Sequence, residues 1–387
     1  MRRAMKNLPV SKNVEDLPEA MSIKFNMLAD ELRLRGEDII TLSLGEAFFD
    51  LPLFPFQDLP LPSGFHYSDP RGIVELRERL SRYYLEAYGI ASDHETELLI
   101  SSGSKVLIYM ALAAILNPGE EVIIFEPAWV SYPEQVRIAQ GVPVGVPYHK
   151  GVDDLEKYHT AKTRAVIVNN PHNPSGKVYS RDELQKIFDF AQKHDLYVVS
   201  DEAYSEFVAT EPFFSMASFD PGKERVIVMN SLSKNMGMSG WRVGYTLANR
   251  RLINLMFKLN QHLIGCPATL LEHYFAKYFD KILEVTRPQI KTLLERRDHT
   301  ARFMDEIGLE YLPGSGTFYF CVSIGNSRLG SEEFARRLLE EDRVATVPGI
   351  GYGKSTDRFL RVSLGAESLE RIKKGLSALR EMSTKTS

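Results

Sequence analysis

Cysteine is scarce in this chain: the two present, Cys266 and Cys321, stand far apart, each in apolar surroundings. A disulfide framework and a paired-cysteine zinc site are both excluded as readings, which leaves core packing in a reducing, cytoplasmic setting as the expectation. Long apolar runs are missing too. The basic opening at residues 1–6 is followed by a polar stretch at 11–19 instead of an apolar signal core, and no run approaches membrane-spanning length. Nor is there an excess of positive charge. With 47 Lys and Arg against 51 Asp and Glu the net charge is −4, so no broad basic surface for nucleic acid is expected. The nine histidines contain no H-E-x-x-H or comparable spacing, and no metal site is expected.

What the chain does have is size and a regular pattern. Its 387 residues, 44% apolar and 25% charged, suit a globular protein of two or three structural units. From residue 97 to 247 short apolar runs alternate with amphipathic stretches: LLIS at 98–101, EVIIFEP at 121–127, RAVIVNNP at 164–171, LYVVSDEAY at 196–204 and RVIVMNSLSK at 225–234. Strands alternating with helices predict an α/β architecture with a mostly parallel sheet covered on both faces. The order Ser180-Arg181-Asp182-Glu183 has capping-box spacing ahead of LQKIFDFAQKH and predicts a helix start there. Residues 51–62 (LPLFPFQDLPLP) hold four prolines, which excludes a regular helix or central strand and predicts an ordered loop. Two long helical stretches are read at 250–279 and 287–307, before a mixture of strands and helices to the end. The expected division is a large unit over 45–285 and a smaller α+β unit over 286–387, onto which residues 1–44 return.

In parallel α/β sheets ligands bind beyond the carboxyl ends of the strands, and the chemically capable residues fall there. Asn173 follows VIVNNP, Asp201 and Tyr204 follow YVVS, and Ser231 to Lys234 follow RVIVMN. A lysine forms a Schiff base with an aldehyde cofactor only if its amine loses its proton near neutrality, which desolvation and neighbouring cations promote. Lys234 has Arg242 eight positions on, within SLSKNMGMSGWR. An aspartate such as Asp201 keeps a pyridine nitrogen protonated, so that the ring accepts electrons. Tyr204 and Asn173 suit hydrogen bonds to a ring oxygen. Gly103-Ser104-Lys105 follows a strand and opens a helix, so its amides and positive helix end suit a phosphate dianion, with Ser231 and Arg242 completing the cup. Trp129 is a candidate to stack on a pyridine face, and Arg361 in FLRVSLG to grip a carboxylate. Each residue alone has an ordinary reading: Asp201 as a helix cap, 173–176 as a turn, Trp129 as a core aromatic, Arg361 as a surface ion pair. The whole set, in order on successive strand ends, is what argues for pyridoxal 5′-phosphate.

Along nearly its whole length the sequence resembles fold-type-I, class I/II aminotransferases, the aspartate aminotransferase superfamily. The matching segments include HYSDPRGIVELRERL, SSGSKVLIYMALAAILNPGEEVIIFEPAWVSYPE, VIVNNPHNPSGKVYSRDEL, YVVSDEAY, NSLSKNMGMSGWRVGY, GTFYF, VATVPG and FLRVSL. The resemblance implies a large domain with a mostly parallel seven-stranded sheet between helices, plus a smaller α+β domain. It implies Lys234 as the cofactor lysine, Asp201 as the ring-nitrogen partner, Tyr204 and Asn173 as ring-oxygen ligands and Trp129 as the stacking ring. Phosphate falls to Gly103, Ser104, Lys105, Ser231 and Arg242, with Ser233 as an extra contact. The substrate carboxylate falls to Arg361 and Asn173, aided by the backbone of Gly45. Tyr67 matches a tyrosine that crosses to a neighbouring subunit's cofactor phosphate, which implies a homodimer with shared active sites. The reaction implied moves an amino group from an L-amino acid to a 2-oxo acid, commonly 2-oxoglutarate, by a ping-pong cycle.

Departures from the family pattern lie at the substrate entrance: Gly45-Glu46-Ala47-Phe48-Phe49 in place of GEPDF, Ala128 before the tryptophan, and the loop Pro348 to Gly353. The competing reaction on the same scaffold is β-elimination by a carbon–sulfur lyase, or cyclisation by a synthase. SGWRVGY after the lysine favours transamination. A regulator that keeps the fold would need a DNA-binding extension, and the residues ahead of the first shared motif hold no basic helix-turn-helix. The string GIGYGKS at 349–355 imitates a phosphate loop, but Walker spacing would require glycine where Pro348 stands, so it is read as an active-site rim or turn.

Overall fold

A computed structural model describes residues 8–209 and 212–387. Its strands, in chain order, are β1 (Ile40–Thr41), β2 (Leu98–Ser101), β3 (Glu121–Phe125), β4 (Val142–Val146), β5 (Thr163–Asn169), β6 (Tyr197–Asp201), β7 (Val226–Ser231), β8 (Gly244–Leu247), β9 (Tyr319–Ser323), β10 (Val344–Ala345), β11 (Val347–Pro348) and β12 (Phe359–Ser363). Seven of them form one sheet in the order β2-β8-β7-β6-β5-β3-β4. All pairings in it are parallel except the two made by β8. The α/β reading of the sequence and its mostly parallel seven-stranded sheet are thus what the chain forms.

Period-two alternation builds two cores from this single sheet. Ile123, Val166, Val168, Val198, Val226 and Val228 point to one face, against helices Val74–Tyr88, Arg181–Lys193 and the first half of Thr269–Glu306. Val122, Ile124, Ala165, Ile167, Val199, Ile227 and Met229 point to the other, against Ser104–Ile115, Tyr132–Ile138 and Arg250–Leu263. Because both faces are covered, these strands read as continuous apolar runs and end abruptly in polar residues. Those polar ends all lie at one edge, since their strands run parallel.

A third core lies under the antiparallel sheet β11-β12-β9, where Phe318, Phe320, Val322, Val362 and Leu364 meet helices Ser331–Asp342 and Leu369–Lys385. The N-terminal segment joins it: Phe25 of helix Met21–Leu34 packs in this core, and β1 pairs in parallel with β10. Helix Thr269–Glu306 serves both regions, with Tyr274 to Leu283 in the first core and Ile290 to Met304 in the third.

The helices after residue 250 differ from the sequence reading. The break falls at residues 264–268, where Gly265, Cys266 and Pro267 follow helix Arg250–Leu263, and the second helix then runs unbroken from Thr269 to Glu306. Pro288 sits inside it. Proline removes one intrahelical hydrogen bond, and packing on both sides of that turn outweighs the loss. Within residues 51–62 the chain makes a 3-10 turn, Phe56–Asp58, and opens the short helix Leu61–Gly64. The remainder is loop, fixed to the long helix by Tyr274 Oη, which accepts from the Phe54 amide at 3.0 Å, and by Tyr278 Oη, which donates to the Pro55 carbonyl at 2.8 Å.

The predicted capping box is formed. Ser180 Oγ accepts from the Glu183 amide at 3.2 Å, and Glu183 Oε2 accepts from the Ser180 amide at 3.0 Å. Ser180→Ala should therefore lower stability by about 1 kcal/mol. The measurement is a shift of the urea midpoint with specific activity unchanged; an unmoved midpoint contradicts it.

Candidate active site

Beyond the carboxyl ends of β5, β6 and β7 lies a cavity of about 260 Å³, and nearly every residue singled out from the sequence lines it. Lys234, Asp201, Tyr204 and Asn173 face it, as do Trp129, Gly45 and Arg361. Ser104, Lys105, Ser231, Ser233 and Arg242 form one end. Gly103 stands directly behind that end, and Tyr67 stands apart, 95% exposed.

The amine of Lys234 donates to the Gly45 carbonyl at 2.5 Å. Burial pushes its pKa down to about 8; Arg361 and Arg242 push the same way, while Glu46 and Asp201 oppose them. A substantial fraction of this amine is therefore neutral at mildly alkaline pH. The carboxyl of Asp201 shifts in the opposite direction, raised by burial. It is held by Tyr132 Oη, which donates to Oδ2 at 2.5 Å, and by the Ala203 amide, which donates to Oδ1 at 3.2 Å.

Asn169 at the end of β5 ties two of these groups together. Its Nδ2 donates to the Asp201 carbonyl at 2.9 Å, and its Oδ1 accepts from the Asn173 amide at 2.7 Å. Asn173 Nδ2 reaches Tyr204 Oη at 3.4 Å, and Tyr204 Oη meets Tyr319 Oη at 3.1 Å. Burial, with Tyr319 next to it, holds the Tyr204 phenol well above its ordinary pKa.

The far end of the cavity is built for an anion. Helix Ser104–Ile115 starts there, with Gly103 at its N-cap. Gly103 has a φ of 88°, and a Cβ on it would lie 2.6 Å from the Arg242 guanidinium, so both backbone and space require glycine. Burial and the charge of Arg242 push the Lys105 amine below its ordinary pKa. Its ammonium also lies 5.1 Å from the centre of the Trp129 indole. At the opposite end Arg361 is 3% exposed; its Nη2 donates to the Ser43 carbonyl at 2.6 Å, and its guanidinium lies 4.7 Å from the ring centre of Tyr319. Arg361 Nε and Asn173 Oδ1 are buried without a hydrogen-bond partner. Buried polar atoms left unpaired are costly, so the two mark where a polar ligand group fits. The donor set thus suits a molecule with a phosphate at one end, a carboxylate at the other and an amine-reactive carbon between.

Sequence reasoning passed over Tyr132, Asn169 and Tyr319. Tyr132 lies three residues after Trp129, but its partner is on another strand. Tyr319 lies in GTFYF, one of the segments that match the family; it is fully buried in the same core as Phe318 and Phe320, and of the three it alone lines the cavity. A larger cleft of about 990 Å³ adjoins the site and shares Lys105 with it; residues 17–21, helix Tyr132–Ile138 and the loop at 350–355 line it.

Comparison with known proteins decides what this arrangement is. The model of the family "Aminotransferase class I and II" matches residues 59–379. The chain belongs to the class I and II aminotransferases. It is 35% identical over 358 residues to the aromatic-amino-acid aminotransferase 2 of Thermococcus litoralis, covering 89% of this chain and 92% of that protein. Against the aspartate aminotransferase of Thermotoga maritima it is 32% identical over 384 residues, covering 96% and 98%. Among solved structures, the Thermus thermophilus aspartate aminotransferase with maleate superposes with a TM-score of 0.88 at 29% identity, over 97% of this chain and 100% of that one. This aminotransferase therefore has the fold-type-I architecture that its sequence resembles. Among the described residues, no helix is long and apolar enough to cross a membrane.

Tyr132→Phe tests the electrostatics at Asp201. The loss of one donor raises an already elevated carboxyl pKa further. A carboxyl whose folded pKa exceeds its unfolded value of about 3.9 costs stability fully above the folded pKa and not at all below the unfolded one. The variant should lose about 1–3 kcal/mol at alkaline pH, and its melting temperature should approach that of the parent as the solution is acidified. A gap that widens on acidification would contradict this assignment.

Proposed function

We propose that the cavity holds pyridoxal 5′-phosphate on Lys234 and transfers an amino group between an L-amino acid and a 2-oxo acid in a ping-pong cycle. The observation that carries the reading is the meeting, in one cavity, of a lysine with a pKa near 8, a buried aspartate, a cationic cup at one end and a buried arginine at the other. In this reading Asp201 faces the ring nitrogen, Tyr204 and Asn173 the ring oxygen, and Trp129 the ring face. The backbone at Gly103, with Ser104, Lys105, Ser231, Ser233 and Arg242, receives the phosphate. Bound there, the cofactor supplies an aldehyde that condenses with amines and a ring that accepts the electrons left on the substrate's Cα.

The chain's own residues orient the substrate and move its proton. Arg361 and Asn173 hold the substrate carboxylate beside the Gly45 backbone, and Arg suits this because its planar fork matches two carboxylate oxygens. Lys234 Nζ, in the same cavity, takes up the proton that leaves Cα. Tyr132 and the Ala203 amide donate to Asp201 and favour its ionised form against the effect of burial.

The same proposal divides the chain into a cofactor unit over 45–285 and a smaller unit over 286–387 that carries Arg361, with residues 1–44 on the smaller one. The long helix supports this, because it changes cores between Leu283 and Ile290. We also infer a homodimer in which Tyr67 reaches the partner's phosphate cup; its 95% exposure, away from its own cavity, supports that role. A reducing, cytoplasmic location accords with two free thiols.

Borohydride treatment of the enzyme loaded with pyridoxal phosphate should fix one pyridoxyl group per chain on the peptide containing residue 234, and none in Lys234→Ala. The rate of cofactor capture by the stripped enzyme should rise with pH through about 8, because the attacking amine must be neutral. Amino transfer in the variant should fall on the order of 10³-fold or more. Label on another lysine, or capture that slows with rising pH, would overturn the assignment.

A further inference from the structure

The two ends of the proposed substrate site hang on different cores. Lys234 and Asn173 emerge from the seven-stranded sheet, whereas Arg361 lies on β12 of the three-stranded one. An α-amino acid fits both ends only if the sheets are held at a fixed separation. On one flank of the site the Gly316 amide donates to the Gly176 carbonyl at 2.8 Å. On the other flank the tie is the glycine-rich segment GIGYGKS, which the aminotransferase reading leaves without a role.

That segment folds into two 3-10 turns, Gly349–Tyr352 and Lys354–Thr356, closed into a ring by Thr356 Oγ1, which donates to the Gly349 carbonyl at 2.8 Å. Its contact with the large sheet is a buttoned carboxylate. Glu126, the residue after β3, accepts on Oε2 from the Ser355 amide at 2.9 Å and from Ser355 Oγ at 2.5 Å. Glycines flank this carboxylate on both sides. A Cβ on Gly353 would lie 2.4 Å from its carboxyl carbon, and a Cβ on Gly145 would lie 2.7 Å from Oε1. Next to it the Ala128 amide donates to the Tyr352 carbonyl at 2.6 Å. Tyr352 is 2% exposed, and its ring centre lies 5.5 Å from the Arg361 guanidinium.

We propose that Glu126 is a positioning residue, whose clasp on Ser355 fixes Tyr352 and through it places Arg361 opposite Lys234 for the substrate's α-carboxylate. The proposal rests on the reading of Arg361 as the carboxylate grip. When the clasp is opened, Arg361 keeps its bond to Ser43 but loses the fixed Tyr352 ring beside it, and binding must repay the cost of ordering the guanidinium. Once substrate is bound it holds Arg361 itself. The effect therefore falls on KM and spares kcat.

Kinetics with L-aspartate, L-glutamate and L-phenylalanine as donors test this on the cofactor-loaded enzyme. Glu126→Ala should raise KM roughly tenfold by a similar factor for every donor that turns over, with kcat within twofold and cofactor content unchanged. Glu126→Gln, whose amide oxygen still accepts from Ser355, should recover most of that affinity, a rescue that a general packing defect would not give. Ser355→Ala, a milder change, should give the same KM-only split at lower amplitude and stands in if Glu126→Ala fails to fold. Unchanged KM in these variants, or kcat falling as far as kcat/KM, overturns the clasp. Arg361→Lys is the control: if it raises KM while the Glu126 variants do not, the clasp alone is wrong. If it leaves KM unmoved, the carboxylate reading is wrong and the clasp falls with it.

Discussion

A lysine amine kept from bulk water among other cations is the feature around which the rest of this molecule is arranged. The Lys234 ammonium shares its cavity with Lys105, Arg242 and Arg361, and the acidic groups that answer them there are Asp201 and the nearby Glu46. Desolvation, aided by the like charges of Arg361 and Arg242, outweighs the opposing pull of Glu46 and Asp201 and brings the amine's pKa down to about 8. The excess of positive charge also favours a doubly anionic ligand in this cavity. A phosphate at one end and a carboxylate at the other would each neutralise a cation that now repels its neighbours. The cations that favour such ligands thus add to the effect of burial on the lysine.

The fold sets these charges around the lysine by a simple geometric device. Parallel strands put all their carboxyl ends on one edge, so Asn169, Asp201 and Ser231, far apart in sequence, come to line one hollow. Covering both faces of the sheet leaves that edge as the place where polar residues meet a ligand. Arg361 comes from a different sheet: its strand pairs with β9 and β11, and contacts such as Gly176 with Gly316 join that sheet to the seven-stranded one.

Much of this was legible in the chain alone. Val- and Ile-rich runs ending in Asn, Asp and Ser gave the strands and the active edge, because a doubly covered sheet admits few polar residues before its ends. Lys234, Asp201, Asn173 and Arg361 could be named because each sits at a strand end or on a strand next to a distinctive motif. Tyr132 could not, since its role exists only through Asp201 on a strand 69 positions away in sequence. Asn169 looked like one more polar strand end, and only the fold shows it bonding to both Asp201 and Asn173. The break between the last two long helices was read at 280–286, whereas it falls at 264–268, and packing against two cores carries the second helix unbroken through Pro288. The role of GIGYGKS was hidden for a related reason: Gly353, which makes room for a carboxylate 227 positions away, looks no different from a glycine in a turn.

The wall of the cavity supplied by the N-terminal helix obeys a different logic from the cationic end. Ser22 and Asn26 reach the cavity from helix Met21–Leu34, and Asn26 is joined to the carboxylate end in series: Ser43 Oγ donates to Asn26 Oδ1 at 2.6 Å, and the Ser43 carbonyl accepts from Arg361. The N-terminal helix therefore touches both this wall of the cavity and the support of Arg361. Phe25 packs the helix into the core beneath the three-stranded sheet, so Ser22 and Asn26 are anchored independently of the strand ends that carry Lys234 and Asp201.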